Sequence, residues 1–365
     1  MTRGSEFAAL AASRGLRGVT RSEGREIFSH FVAGQATAPI NILMADGELK
    51  FYDVATTRDP YVPVPRLVLP SRARKVELTV ERTVTAAGAP YILNHCVDGI
   101  PTLPGAFLIM MVAEAALELR PELKITSFED AAFRRFVRLR SDGPTNLRLN
   151  AHIVTESDES TLIRVEVVSD FTHKSGKVLQ KDVVQTEMSV RLGHSVNHVR
   201  TGYLNGSGHA KGRALSDPYV MQGSPVHLNG PFRTLNNIVV GENNRSADYR
   251  LTKSTGIGSG GQAFLSSLMV MDSLWRFGAI DLDSDNTLPV YVPEACKVMN
   301  VYFDLGNPGG ASSLSDELSM TGSNPTADQD RLTIGPVEVR DNVGSVLLTV
   351  DGGVCRRLGE VRNGH

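Results

Sequence analysis

Charge of one sign is what this chain lacks. Its 365 residues carry 38 Lys and Arg against 40 Asp and Glu, a formal net charge of -2. A protein built mainly to bind nucleic acid shows a basic footprint, so that class is excluded, and the same balance suits no role at a membrane surface. Long hydrophobic runs are missing as well. The longest, Ala106 to Ala113, is far below the roughly 20 residues needed to span a bilayer. Residues 1–30 show no cationic start followed by an apolar core and a small-residue cleavage site, so no secretory signal is expected. Cysteine is scarce: Cys96, Cys296 and Cys355 are odd in number, widely spaced and form no CxxC. That pattern excludes a disulfide framework and predicts free thiols in a cytoplasmic protein.

What is present exceeds one ordinary core and predicts two domains or a doubled one. Met1-Thr-Arg-Gly-Ser-Glu-Phe7 reads as a cloning scar and is set aside. Residues 8–65 open with Thr20-Arg-Ser-Glu23, a capping-box pattern. They continue as a helix to about Val32 and a short strand at Ile40–Met44, and end in Pro60, Pro63 and Pro65 as a linker would. Residues 66–192 are strand-rich, with strands read at Val76–Val80, Leu147–Ala151, Leu162–Val168 and Val183–Met188. Residues 193–222 lack periodicity and read as a linker. Residues 223–357 repeat the plan, with a second apolar helix from Ala263 and strands at Asn237–Val240, Ala247–Leu251, Leu288–Val292, Lys297–Phe303, Arg331–Ile334 and Val346–Val350; 358–365 form a tail. The expected class is α+β: two curled antiparallel sheets, each around one buried helix, joined edge to edge so that exposed strand edges are hidden.

The most informative stretch is His95-Cys-Val-Asp-Gly99-Ile-Pro-Thr-Leu-Pro104-Gly105, followed by an almost wholly apolar segment to Leu117. A histidine stands at a strand end, a Gly/Pro loop turns the chain, and a buried helix begins. The first N–H groups of that helix, around Gly105, have no partner inside it and can hold developing negative charge. A base that titrates near neutrality beside an anion-stabilising helix end is what proton abstraction next to a carbonyl needs. Cys96 suggests a Cys/His pair, but neighbours on a strand point to opposite faces, which argues against a thiol enzyme. Asp272 sits in the second apolar segment, where a carboxylate is costly unless paired or protonated. Two readings stay open together: an ion pair with Arg276 on the same helix face, and a general acid in a dry pocket.

Other signals compete. Gly256-x-Gly258-x-x-Gly261, before a helix, matches the dinucleotide fingerprint. No acidic residue ends the following strand, however, and alternating βαβ units are missing. His194 and His198 have i, i+4 spacing with His209 nearby, but Ser195 replaces the glutamate of a metalloprotease motif and the segment reads as a solvated loop. Asp281, Asp283 and Asp285 mimic a calcium loop whose glycine and glutamate positions hold Asn286 and Val292. Arg134, Arg135, Arg138 and Arg140 are expected on a solvated strand face, or facing an acidic partner.

His95-x-x-x-Gly99-x-x-x-x-Pro104, followed by a helix, resembles the signature of polyketide synthase dehydratase domains. These are double-hotdog folds that remove water from a β-hydroxyacyl chain carried on an acyl carrier protein. Asn229-Gly230-Pro231-Phe232 resembles the family's Tyr-Gly-Pro-x-Phe region, Met271-Asp272-Ser273-Leu274 its aspartate motif, and Leu288-Pro289-Val290 its Leu-Pro-Phe, all in the family's order over residues 66–357. The resemblance implies His95 as base, Asp272 as acid and the Gly105 N–H as oxyanion donor, with Gly99, Pro104, Arg276, Asn229 and Phe232 around the substrate. It implies no metal, flavin or nicotinamide cofactor, and as partners a carrier protein and adjacent synthase domains, with homodimerisation through hotdog edges a further expectation. The tunnel is expected to be apolar, lined by Phe107, Leu108 and Met271. Two departures stand out. Arg276 occupies the place where the family usually has Gln or His, so glutamine there is expected to keep or raise turnover. Asn229 stands where the family has tyrosine. Residues 8–60 resemble the end of a ketoreductase domain, an order found in iterative enediyne and polyunsaturated-fatty-acid-type synthases. The rival reading is a non-catalytic double-hotdog module that docks carrier-bound intermediates.

Overall fold

Two apolar helices decide the architecture, because each must be wrapped. In the computed structural model the described residues are 75–139, 143–172, 178–196, 210–251, 259–281, 287–305, 314–315 and 317–362. All lie within one unit, Val62–His365. The features read at 8–65, the glycines at 256 and 258, His198 and His209, Arg140, and Asp283 and Asp285 fall outside them.

Helix α1 (Gly105–Leu119) is buried without interruption from Ala106 to Ala113. A helix apolar on every side has to be enclosed, and each large aliphatic or aromatic side chain so buried is worth roughly 1.5–3 kcal/mol. The enclosing strands are β1 (Glu77–Val84), β4 (Lys124–Phe133), β5 (Thr145–Glu156), β6 (Ser160–Thr172) and β7 (Val178–Gly193), between which lie the short β2 (His95–Val97) and β3 (Ile100–Pro101). In the second half, β8 (Arg213–Leu215), β9 (Val226–Leu228), β10 (Leu235–Val240) and β11 (Asn244–Arg250) precede α2 (Ser259–Ala279). After it come β12 (Thr287–Val301), β13 (Glu317–Ser323), β14 (Thr326–Asp328), β15 (Arg331–Ile334), β16 (Val337–Arg340) and β17 (Val346–Arg362). The two helices touch each other.

One antiparallel sheet runs through both halves in the order β1-β5-β6-β7-β4-β12-β17-β16-β13-β11-β10-β8. The halves join where β4 pairs with β12, edge to edge. A second junction is smaller: β2 pairs with β3 on one side and with β9 of the other half on the other, opposing His95 to Leu228. The double-hotdog expectation therefore describes the fold.

Several boundaries move. The residues around 288–292 and 297–303 are one strand, β12, bulged between Val290 and Tyr291 and between Pro293 and Ala295. β4 was unforeseen because a bulge between Glu129 and Ala132, with Asp130 at φ 48°, breaks its alternation. Arg134, Arg135 and Arg138 lie beyond the end of β4 and not on a strand face. The stretch 193–222 is structured at β8 and in a 3-10 turn at Pro218–Val220, and β17 carries the 358–365 tail into the sheet as far as Arg362. α2 begins at Ser259, so Gly261 is inside the helix and not in a loop before it. Among the described residues no helix is long and apolar enough to cross a membrane.

Gly99 has a backbone role. Val97 pairs with Ile100 across a two-residue turn in which Asp98 and Gly99 have φ of 50° and 75°. Positive φ at both central positions matches the right-handed twist of the hairpin that carries His95, and Asp-Gly is a favoured pair for it. A β-branched residue is strained there. Gly99→Val is expected to lower stability by about 1–2 kcal/mol in urea unfolding, and Gly99→Asn by less, because Asn visits this region more readily. Equal stability of the valine and glycine proteins would remove the turn as the reason for Gly99.

Candidate active site

The cavity follows from a fork in the sheet. β12 pairs with β4 only from Ala295 to Asn300. Upstream, the Pro293 bulge turns β12 away while β4 ends at Phe133, and the two strands part. Proline fits there because it has no N–H to donate to a ladder. Gly105 faces the fork: a Cβ on it would lie 3.2 Å from Phe133 Cε1 and 3.4 Å from Pro293 Cγ. The opened space is a cavity of about 390 Å³ lined by His95, Gly105, Asp272 and Arg276 among others. It draws its walls from both halves.

His95 is 9% exposed. Its Nδ1 lies 2.8 Å from the Thr102 carbonyl oxygen. A carbonyl only accepts, so Nδ1 carries the hydrogen and donates it, and Nε2 keeps its lone pair. The Thr102 N–H in turn donates to the His95 carbonyl at 2.9 Å, which locks the strand end. The Phe232 ring packs against the imidazole, with centroids 5.4 Å apart. Burial holds the imidazole below its ordinary pKa, opposed by Asp272 and by the Thr102 bond. At neutral pH His95 is a neutral base with a fixed tautomer.

Gly105 opens α1 after Pro104, which supplies no side-chain cap. The Pro104 carbonyl accepts from Phe107 and Leu108. Among the described residues the Gly105 N–H has no acceptor, as expected of a first-turn donor, and Gly105 lines the cavity.

Asp272 comes from α2 and is 8% exposed. Arg276 Nε donates to its Oδ2 at 2.9 Å. Arg276 Nη1 donates to Asp217, and Nη2 donates to the Phe232 carbonyl at 2.8 Å and to Thr234 Oγ1 at 2.9 Å. The guanidinium is thus held on all sides by protein. Burial pushes the Asp217 carboxyl up, and Arg276 opposes the shift. One guanidinium thus faces two buried carboxyl groups, Asp217 and Asp272. Asp272 Oδ1 has no partner among the described residues and belongs to a cavity-lining side chain.

Other expected residues fall elsewhere. Asn229 is not on the cavity wall; its side-chain amide lies 2.8 Å from His227 Nε2. Phe232 reaches the site through its ring on His95 and its carbonyl on Arg276. Gly99 and Pro104 are not on the cavity wall. Leu108 lines the cavity, whereas Phe107 packs edge-on against Phe264 at 5.7 Å and Met271 is buried away from it. Met271 precedes Asp272 on the helix and so points about 100° off its direction. Arg134 and Arg135 line the cavity; Arg134 donates to Glu187, and Arg138 pairs with Asp98 at 3.5 Å. Cys96 donates weakly to the Leu93 carbonyl at 3.5 Å, while burial raises the thiols of Cys296 and Cys355 and keeps them protonated. Among the described residues no His, Cys, Asp and Glu cluster could hold a metal ion.

Sequence reasoning missed Asp217 and Tyr219, both inside the stretch read as linker. The Tyr219 hydroxyl donates to the Tyr291 carbonyl at 2.8 Å and accepts from its N–H at 3.2 Å, which ties this segment to the β12 bulge. The only local signal was Asp217 before Pro218, a helix-cap pattern. The expectation that Arg276→Gln keeps or raises turnover concerns activity; the geometry bears on stability, since glutamine cannot replace the bonds that Arg276 makes to Asp272, Asp217, Phe232, Thr234 and Ser273. Arg276→Gln is expected to lower stability by about 3–5 kcal/mol, the cost of leaving buried carboxylates without their cation. Pairing it with Asp217→Asn should return part of that loss in chemical denaturation. A single variant as stable as wild type would show the cluster to be incidental.

Residues 69–170 match the sequence model of the family described as polyketide synthase dehydratase domain. No curated protein matches the chain. Among solved structures, the chain is similar to the dehydratase domain from the CurF module of the curacin polyketide synthase, at 9% identity and a TM-score of 0.61, with 82% of this chain and 100% of that one covered. It is similar to a trans-AT synthase dehydratase domain from Brevibacillus brevis at 16% identity and a TM-score of 0.59, covering 77% and 94%. Inactive histidine-to-phenylalanine and aspartate-to-asparagine variants of the CurK dehydratase match at 11% and 12% identity and TM-scores of 0.57 and 0.56, each covering 80% of this chain, and 94% and 95% of their own. The chain therefore has the double-hotdog fold of polyketide synthase dehydratase domains, and its first half carries that family's sequence pattern.

Proposed function

We propose that the chain dehydrates a 3-hydroxyacyl thioester presented on the phosphopantetheine arm of an acyl carrier protein, giving the 2-enoyl thioester. One observation carries this reading: an imidazole from the first half and a carboxyl from the second line one cavity with a helix-start N–H, and neither the imidazole Nε2 nor that N–H has a partner among the described residues. The inactive His and Asp variants of the CurK dehydratase support the same two residue types.

In this reading His95 Nε2 removes the α-proton, and the charge that develops on the thioester oxygen is met by the Gly105 N–H. Asp272 meets the β-hydroxyl. The C–O bond breaks, the electron pair goes to oxygen, and a proton carried on the Asp272 carboxyl leaves with the hydroxyl as water. Base, donor and acid are fixed before substrate arrives, so little reorganisation remains for the transition state. The chemistry as written needs no metal, flavin or nicotinamide. The segment at 8–65, with its likeness to a ketoreductase end, favours an iterative enediyne-like synthase, with neighbouring synthase domains as partners.

The pH dependence follows from the lowered pKa of His95. Its neutral form is the active one, so activity is lost only as pH falls through that lowered pKa. The acid limb of kcat/KM is expected below pH 6.5, the ordinary histidine value. His95→Ala should abolish that limb and lower turnover of a 3-hydroxyacyl-pantetheine by at least about a hundredfold, with a circular dichroism spectrum like wild type. Asp272→Asn should also cut turnover strongly. Wild-type protein that binds the thioester without turning it over would favour the non-catalytic docking module.

A further inference from the structure

The cavity that holds His95 and Asp272 has one open side. Of its described wall residues, only Arg134, Arg135 and Arg356 are exposed. The half-buried ones are Gly105, Ala132, Phe133, Phe136, Pro293 and Glu294, which stand around the fork. Every other described wall residue is buried. The space is therefore a slot with one mouth and a blind end. A carrier protein cannot enter it, so a carrier-bound chain comes in through the mouth, tail first.

The short sheet shows where the blind end lies. His95 is opposite Leu228 and Val97 is opposite Val226 across β2 and β9. Alternation puts all four on one face, and all four line the cavity. β3 runs back past them: Val97 pairs with Ile100, and the Thr102 N–H reaches the His95 carbonyl. Gly105, at the mouth, thus lies on the far side of His95 from Val97. The valine pair is two residues deeper than His95, about 6.6 Å at roughly 3.3 Å per residue. Val97 and Val226 are 1% and 4% exposed. The next positions on that face, Gly99 and Ser224, are not on the wall. The Asp98 N–H donates to the Pro225 carbonyl at 2.8 Å, so the strands stay joined behind the pair.

We propose that the Val97–Val226 pair is the floor of this slot and fixes the length of acyl chain it takes. The tail beyond the β-carbon ends against the two isopropyl groups. A zigzag chain with bonds of about 1.5 Å and angles near 111° advances about 1.25 Å per bond, so about five carbons fit between the level of His95 and the pair. The volume agrees. At about 30 Å³ per water-sized atom, about 390 Å³ holds about thirteen non-hydrogen atoms, and the thioester carbonyl, sulfur, α- and β-carbons and hydroxyl take six. The substrates are 3-hydroxyacyl chains of up to about eight to ten carbons. This rests on the dehydratase reading and adds chain length to it.

The test measures kcat/KM of wild type, Val97→Ala, Val226→Ala and Val226→Phe on 3-hydroxyacyl-pantetheine thioesters of four to fourteen carbons. In wild type, kcat/KM is expected to rise with length up to about ten carbons. It should fall about tenfold at twelve, because a methylene that a hydrophobic pocket cannot place costs about tenfold or more. Either alanine variant should raise the twelve-carbon chain about tenfold relative to the eight-carbon one. The phenylalanine variant should lower the ten-carbon chain about tenfold relative to the six-carbon one. A wild-type kcat/KM that keeps rising to fourteen carbons overturns the blind slot, and a limit that none of the variants moves overturns the pair as its floor. If wild type turns over none of the thioesters, the dehydratase reading falls, and the slot is still tested by binding. Titration followed by the emission of Trp275, the sole tryptophan and a wall residue, should then show the same limit in affinity, moved by the same variants. Affinity without a limit overturns the proposal.

Discussion

The Arg276 guanidinium is the interaction on which the second half of the site depends. It gathers Asp272 from its own helix, Asp217 from the segment between the halves, and the carbonyl and hydroxyl of Phe232 and Thr234 from the turn before β10. The turn at Phe232 packs on His95, so the same cation indirectly sets the surface against which the His95 imidazole leans. A buried ion cluster of this kind adds little net stability over an apolar replacement, because desolvation opposes the Coulomb attraction. Its use is positional: it holds three separate segments in one arrangement. The aromatic face of Tyr219, 6.0 Å from the guanidinium carbon, closes the remaining side.

The second constraint is geometric. A sheet paired along its full length leaves no room for a substrate between strands. Here the Pro293 bulge and the end of β4 at Phe133 part the two central strands, and the helix start at Gly105 is drawn up to the fork. The site exists because the ladder fails at that point. It also explains why the cavity has walls from both halves while the junction from Ala295 to Asn300 remains intact. Rigidity and opening are neighbours on one strand.

Much of this was legible in the sequence, and the exceptions have physical causes. Apolar helices announce themselves by composition, so α1, most of α2 and the doubled layout could be read directly. His95 could be read because turn, proline, glycine and buried helix follow it in a fixed order, each with a backbone reason. β4 could not, since its bulge destroys the period of two that reveals a strand. Nor could Asp217 and Tyr219: a segment without periodicity looks like linker, and only tertiary packing shows that its carboxyl and hydroxyl reach α2 and β12. Arg276 was visible as a partner for Asp272 four residues away, but its three other acceptors come from distant parts of the chain.

Placing His95 and Asp272 in different halves has an electrostatic consequence. In the proposed mechanism His95 works as a neutral imidazole, and the Asp272 carboxyl would favour its charged form if nothing offset that attraction. Two effects do. Burial disfavours the imidazolium, and Arg276, whose positive charge also opposes it, lies in the same cluster as Asp272. The Arg276 cation, which stands where the resembled family usually has Gln or His, thus offsets the pull of Asp272 on the His95 imidazole. In the folded chain Arg276 is the shared counter-charge of Asp217 and Asp272, and Asp272 and His95 line one cavity.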